Sequence, residues 1–323
     1  MTEPVDHLVR RLRLRHLELL VALAEAGTMR AAASRLHLSQ PALSKMLAEV
    51  ESGFGARLFE RSPQGLAANV LGAAAVYRAR VMLGELARGQ QEVAALRSGA
   101  TGVLRLGTLS VTASVPFAVA HLRRRLPGAR VQVVEGRVRE LVQRLLDGEL
   151  DAVFGAITPE LLGSELLHLL RPEVLLPDAL CVVCAASHPL ARRRRVAWAE
   201  LHGAPWVAPP KDTLVRQALM TAFLNQGLAP PQPAVEVLSS VTIGSLVRLD
   251  PTLLCAVRRE HAQDEVARGG ARRLPVTPPV ALPSLGLYTR QASEPPSAMV
   301  QSLAEGLRRF GQRAAAGRLA GAA

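Results

Sequence analysis

Apolar positions over residues 17–50 recur at helical spacing, without the alternation of strands. Leu17, Leu20, Val21 and Ala24 share one face of a helix that should stop near Gly27. Thr28 can cap the next helix, MRAAASRL, whose run of alanines lets a neighbouring helix approach closely. His37 and Leu38 form a short turn. Ser39 then suits an N-cap, with Gln40 and Pro41 in the first turn, where proline's missing N–H costs nothing. Along this third helix Leu43, Leu47 and Val50 fall on one face, at i, i+4 and i+7. Gln40, Ser44, Lys45 and Ala48 lie off that face, polar or small.

Two readings fit a helix, a tight turn and a second, polar-faced helix. One is a surface helix of an ordinary bundle. The other is a helix-turn-helix whose second helix enters a major groove and hydrogen-bonds base edges. The next stretch, GFGARLFERSPQGLAAN, has the form of a two-stranded wing, with Leu58 and Phe59 inward, Arg61 outward and Gly65 at the tip. Asn69 can then cap a long helix over residues 70–95. Its apolar positions include Val70, Ala73, Ala74, Tyr77, Val81 and Val93, a stripe suited to a second copy; Val70, Tyr77 and Val81 are the candidate dimer contacts.

After the small-residue linker SGATGV the pattern changes to strands alternating with helices. VLRLGTL is followed by a helix after Pro116, then RVQVVEG, VRELVQRLLDGEL and DAVFGAI. A second set follows: DALCVVCAA, PWVAPP, LVRQALMTAFLNQG, AVEVLSS and TLLCAVRR. SLGLYTR and a helix over residues 296–313 close the chain. Such alternation predicts a parallel sheet with covering helices. Parallel sheets bind ligands beyond the carboxyl ends of their strands. The candidate contacts are therefore Ser110, Val111, Thr112, Gly136 beside Glu135, Ile157, Trp206, and Ser239 beside Ser240. The hydroxyls of Ser110 and Thr112, with the free N–H groups of a helix start, can hold a carboxylate or merely cap the helix. Trp206 fits a ligand wall or a core position equally.

Composition narrows these readings. Of 323 residues 49% are hydrophobic, which rules out a largely disordered chain. No apolar run approaches the roughly 20 residues of a membrane span, and the N-terminus lacks a secretory apolar region, so a soluble intracellular chain is expected. The net charge of +12 points to a polyanionic partner, yet residues 1–65 hold nine Lys or Arg against seven Asp or Glu, a surplus of only two. Much of the remainder sits in RRR at 123–125 and RRRR at 192–195. Three cysteines cannot build a disulfide framework. Cys181 and Cys184, three apart on a strand, point to opposite faces and read as structural. The histidines do not cluster at metal spacings, so no metal and no cofactor is expected. No phosphate loop or nucleophile elbow supports an enzyme.

LRHLELLVALAEAGTMRAAASRLHLSQPALSKMLAEVESGFGARLFER carries Ala-Ala, Ser-Gln-Pro-Ala-x-Ser and Gly-x-x-Leu-Phe-x-Arg elements in register. It resembles the LysR-type transcriptional regulators, and the resemblance runs through nearly the whole chain. VLGAAAVYRARVMLGEL looks most like members that regulate aromatic or sugar catabolism. The resemblance implies an N-terminal all-α winged helix-turn-helix over 12–69 and a linker and dimerisation helix over 70–97. An α/β effector domain over 98–313 would follow, made of two periplasmic-binding-protein-like subdomains. These are 102–175 plus 282–313, and 176–281, with crossings near 172–178 and 278–284. The implied function is a cytoplasmic, nucleoid-associated activator or repressor controlled by a small-molecule co-inducer, an organic acid or other catabolic metabolite. Its implied partners are double-stranded DNA, a second copy in a dimer or tetramer, and RNA polymerase, with no membrane. The candidate DNA contacts are Ser39 at the helix start, Gln40, Ser44 and Pro41 for base edges, and Arg30, Lys45 and Arg61 for phosphates, with Lys45 also in reach of a guanine. His188, in SHPL, opens a turn and is assigned no chemistry. The rival readings are a cytoplasmic small-molecule-binding protein or an α/β enzyme, and neither explains residues 12–69.

Overall fold

The computed structural model describes residues 12–62, 65–97, 101–109, 112–164, 166–291 and 295–315. The chain separates into two compact units. One comprises the residues up to Arg105 with Val142–Asp151, and the other Leu106–Leu141 with the residues from Ala152 onward.

In the first unit, helices α1 (Leu14–Ala26), α2 (Met29–Arg35) and α3 (Gln40–Phe54) precede strands β1 (Phe59–Ser62) and β2 (Gly65–Ala68) and the long helix α4 (Val70–Arg97). Each start is built from the residue its position demands. The Thr28 hydroxyl accepts the Ala31 N–H, the Ser39 hydroxyl accepts the Ala42 N–H, and the Asn69 carbonyl accepts the Gly72 N–H at 2.9 Å. Gly27 ends α1 at φ 65°, and His37 takes a left-handed φ of 55° to turn α2 into α3. The core joins Leu19, Leu20 and Leu23 of α1, Ala32 and Ala33 of α2, Leu43 and Val50 of α3, Leu58 and Phe59, and Ala75, Val76 and Ala79 of α4. Glu51 ties α3 to the wing, its carboxylate accepting the Leu58 and Phe59 N–H groups at 2.7 and 3.3 Å.

The second unit is built on the largest sheet among the described residues. The strands are β3 (Gly102–Thr108), which begins in the first unit, β4 (Ala129–Glu135), β5 (Ala152–Ala156), β6 (Leu170–Ala185), β8 (Trp206–Ala208), β9 (Val235–Glu236), β10 (Leu254–Arg258), β11 (Ala271–Leu274) and β13 (Val280–Arg290). Short β7 (Val196–Ala197) and β12 (Val276–Thr277) pair apart from it. The order is β4-β3-β5-β13-β6-β10-β8-β9, with β11 also on β6. Helices α5 (Ser114–Arg125), α6 (Val138–Leu146, which ends in the first unit), α7 (Pro159–Leu162), α8 (Leu214–Leu224), α9 (Ser240–Leu249), α10 (Arg259–Ala267) and α11 (Ala298–Ala315) alternate with the strands.

Two expectations are corrected here. The sheet is mixed. The pairs β3–β5 and β8–β10 are parallel, but β6 and β13 run antiparallel through the middle and divide it into a near half (β4, β3, β5) and a far half (β10, β8, β9). Helix α5 starts at Ser114, so Pro116 sits inside the first turn, where no intrahelical N–H bond is lost.

The alternation DALCVVCAA appears as two faces of β6. Leu180, Val182 and Cys184 pack with Trp198, Trp206 and Phe223, while Cys181 and Val183 pack with Cys255, Ile243 and Val247 on the other side. The three thiols are free and buried, and burial pushes Cys184 up to about 11.

Gly72 permits the closest approach in the first unit, because a Cβ there would overlap the Leu58 carbonyl oxygen. Gly72→Ala should therefore lower stability by about 1–3 kcal/mol. Urea titration checks this, and an unchanged midpoint would contradict the packing described.

Candidate nucleic-acid interface and ligand site

Helix α3 has one dry face and one wet one. Leu43 and Val50 are buried and Leu47 is half-buried, whereas Ser39, Gln40, Pro41, Ser44, Lys45 and Ala48 are exposed. The exposed positions form a single polar surface at the N-terminal end of the helix, where side chains and helix dipole can both face a polyanion. Arg30, exposed on the first turn of α2, adds a cation to the same motif. Arg61 lies in the wing, its Cα paired with Leu66, and its side chain falls outside the described residues.

Helix α4 is apolar on more than one side. Ala75, Val76 and Ala79 bury against α1, while Val70, Leu71, Met82, Leu86, Val93 and Leu96 remain exposed. Tyr77 and Val81 are half-buried, with the Arg78 guanidinium 5.5 Å from the Tyr77 ring centroid. The exposed set therefore extends the stripe read from sequence by Met82, Leu86 and Leu96, which with Val93 are spaced by four, seven and three residues, as one helical face requires.

Of the strand-end residues, Thr112, Gly136 and Ile157 follow the carboxyl ends of β3, β4 and β5, which are neighbours in the sheet. The Gly136 N–H donates to the Thr108 carbonyl at 3.0 Å, and the Ile157 N–H to the Ser284 carbonyl at 2.8 Å. Ser239 caps α9, accepting from the Thr242 N–H at 3.4 Å, and stays exposed. Ser110 and Val111 lie outside the described residues. Trp206 is a correction. It opens β8 rather than closing it, and its ring is fully buried, edge-on to Phe223 at 6.0 Å. Packed in the core with Trp198 and Phe223, the ring forms no wall that a ligand could touch.

Glu260, which neither periodicity nor motif singles out, occupies the seat expected for a ligand carboxylate. It stands in the first turn of α10, just past the carboxyl end of β10. Its carboxylate accepts the Thr112 hydroxyl at 2.5 Å, the Ser114 N–H at 2.7 Å and the Ser114 hydroxyl at 2.9 Å. All three residues are buried. Burial raises the Glu260 carboxyl above its usual range, and the three donors counter only part of that. Asp178 of β6 holds the start of α10, accepting the Arg259 N–H at 3.2 Å and pairing with the Arg258 guanidinium. The sequence signal for Glu260 is no more than its place after a strand end. RREHAQDEVARGG otherwise reads as a charged, solvated helix.

Among the described residues no group of three His, Cys, Asp or Glu side chains could hold a metal ion, and no helix is long and apolar enough to cross a membrane.

A winged helix-turn-helix joined by a long helix to a two-half mixed α/β sheet defines a DNA-binding regulator with a ligand-binding domain. Residues 14–73 match the model of the bacterial regulatory helix-turn-helix proteins of the lysR family, and residues 97–311 match the LysR substrate binding domain. The chain belongs to the LysR family of DNA-binding transcriptional regulators, whose substrate-binding domains take effector ligands. It is 32% identical over 279 residues to the HTH-type transcriptional regulator GalR of Pseudomonas putida, covering 85% of this chain and 68% of that one. It is also 32% identical to GbpR of Azospirillum brasilense, over 72% of this chain and 67% of that one. A full-length single-site variant of OxyR from Pseudomonas aeruginosa shares the fold at a TM-score of 0.59 and 23% identity, covering 92% and 95% of the two chains. CbnR, a LysR family regulator, shares it at 0.52 and 21%, covering 92% and 99%.

Removing the Glu260 side chain strands three buried donors. Glu260→Ala should destabilise the second unit by about 3 kcal/mol. Calorimetry on the full chain measures it, and a shift near zero would mean that these bonds are not formed in solution.

Proposed function

We propose that α3 reads the operator through Gln40 and Ser44, with Ser39 and Pro41 setting its entry and Arg30, Lys45 and Arg61 gripping phosphates. The observation that carries this reading is the split of α3 into a buried Leu43–Val50 face and an exposed amide, hydroxyl and ammonium face. Amides and hydroxyls discriminate base edges, whereas cations neutralise any backbone alike. Gln40→Ala should cost roughly 1–3 kcal/mol on the cognate site and little on random DNA. Arg30→Ala should weaken both and reduce the salt slope by about one unit. Binding titrations at several salt concentrations separate the two, and identical behaviour of the variants would end this division of labour.

The regulator acts as a dimer or a dimer of dimers, joined through α4. An exposed apolar stripe on a long helix and the need for two recognition helices on a two-fold site both support it. Leu86→Asp touches only the exposed side, so it should leave the fold intact while producing monomers that lose operator affinity. Ultracentrifugation with a binding assay checks this, and a dimeric, fully active variant would refute it.

The effector is a small organic acid or related catabolic metabolite acting as co-inducer, not a resident cofactor. It sits at the strand ends near Thr112, Gly136, Ile157 and Ser239, and the adjoining start of α5 supplies hydroxyls and N–H groups of the kind a carboxylate needs. The regulator works on the nucleoid in the cytoplasm and passes its signal to RNA polymerase.

A further inference from the structure

We propose that Glu260 is an intramolecular latch: a carboxylate of the far half seated on the first turn of α5 in the near half, which the effector must displace to act. The second part rests on the reading of the effector as an organic acid.

Three features make the seat a specific one. The Thr112 hydroxyl, the Ser114 hydroxyl and the Ser114 N–H all end on the two oxygens of one carboxylate, at 2.5 to 2.9 Å. The donors open a 12-residue helix, whose dipole favours negative charge there. Ser114 is 0% exposed and Glu260 7%, so water cannot substitute for either partner without the two elements separating. A second carboxylate at this seat would compete for the same three donors, and two like charges at this spacing repel strongly. A free acid therefore competes with a carboxylate delivered by the chain itself, at an effective concentration on the order of millimolar or above.

The latch is also fixed to the element that joins the halves. Asp178 lies where β6 passes from β13 to β10, and it holds both the Arg258 guanidinium and the Arg259 N–H at the start of α10. Bending of the crossing strands would carry Glu260 with it, away from α5. Beside Glu260 lies a cavity of about 110 Å³ lined mostly by apolar side chains, Leu176, Pro177, Leu285 and Phe310 among them, together with Asp178, Arg259 and Gln263. A ligand biases the halves only through its preference between the seated and the released state.

The test uses the full chain, with acetate as the probe. In Glu260→Ala, amide exchange over 112–118 should quicken about tenfold or more, as expected when a protecting contact is lost. Sodium acetate at tens of millimolar should slow it again and raise Tm, acetamide and sodium chloride should not, and the wild type should ignore all three. If the alanine variant does not fold, Glu260→Gln, which keeps one acceptor, is read by the same exchange experiment. Unchanged exchange, or a folded Glu260→Ala protein indifferent to acetate, overturns the latch. For the regulatory role, transcription from the promoter beside its own gene should change several-fold in Glu260→Gln without any inducer, and wild-type output would refute it. Should acetate fill the vacated seat while the wild type binds no member of an organic-acid panel, the latch stands and the acid-effector reading falls.

Discussion

The pairing of β6 with β13 holds the ligand-binding unit together. Residues of β13 from Val280 to Arg290 run along β6 from Leu180 back to Leu170, and the register shifts between Leu282 and Gly286. Above the shift β6 belongs to the far half through β10, and below it β13 belongs to the near half through β5. The two halves share one continuous sheet. A strand shared by two bodies cannot break without exposing both cores, but it can twist at an irregular register at little cost. The place of least regular hydrogen bonding thus coincides with the place where the halves meet.

The rest of the unit respects that joint. Helix α11 returns from the end of β13 to lie on α5, so close that a Cβ at Gly306 would come within 2.8 Å of the Ala118 backbone, and Phe117 stacks at an angle on Phe310. Helix α11 thereby closes the near half. The far half closes around Trp198, Trp206 and Phe223. Between them buried polar contacts lie at Asp178 and Glu260, and an exposed ion pair, Arg137 with Asp212, contributes little under solvent screening.

How much of this is legible in the sequence depends on the range of the interaction. Caps are local, and Thr28, Ser39 and Asn69 act as the residue types alone predict. The two faces of α3 and of β6 follow from periodicity. What fails needs partners distant in sequence. Trp206 reads as a strand terminus, but the residues around it do not say which end, and the carboxylate that meets Thr112 comes from 148 residues further along the chain. The sheet's mixed character is hidden for the same reason, since a strand does not encode the direction of its neighbour. The seat for a carboxylate is legible, and its occupant is not.

The three cysteines acquire a further meaning from their burial. A thiol with a pKa of about 11, as at Cys184, is ionised in roughly one molecule in ten thousand at neutral pH. Cys181 and Cys255 are likewise raised by burial, and all three lie within the far half's sheet. Burial thus disfavours the reactive thiolate at all three while the fold holds. The chain carries three silent reporters whose modification clocks the opening of the sheet itself.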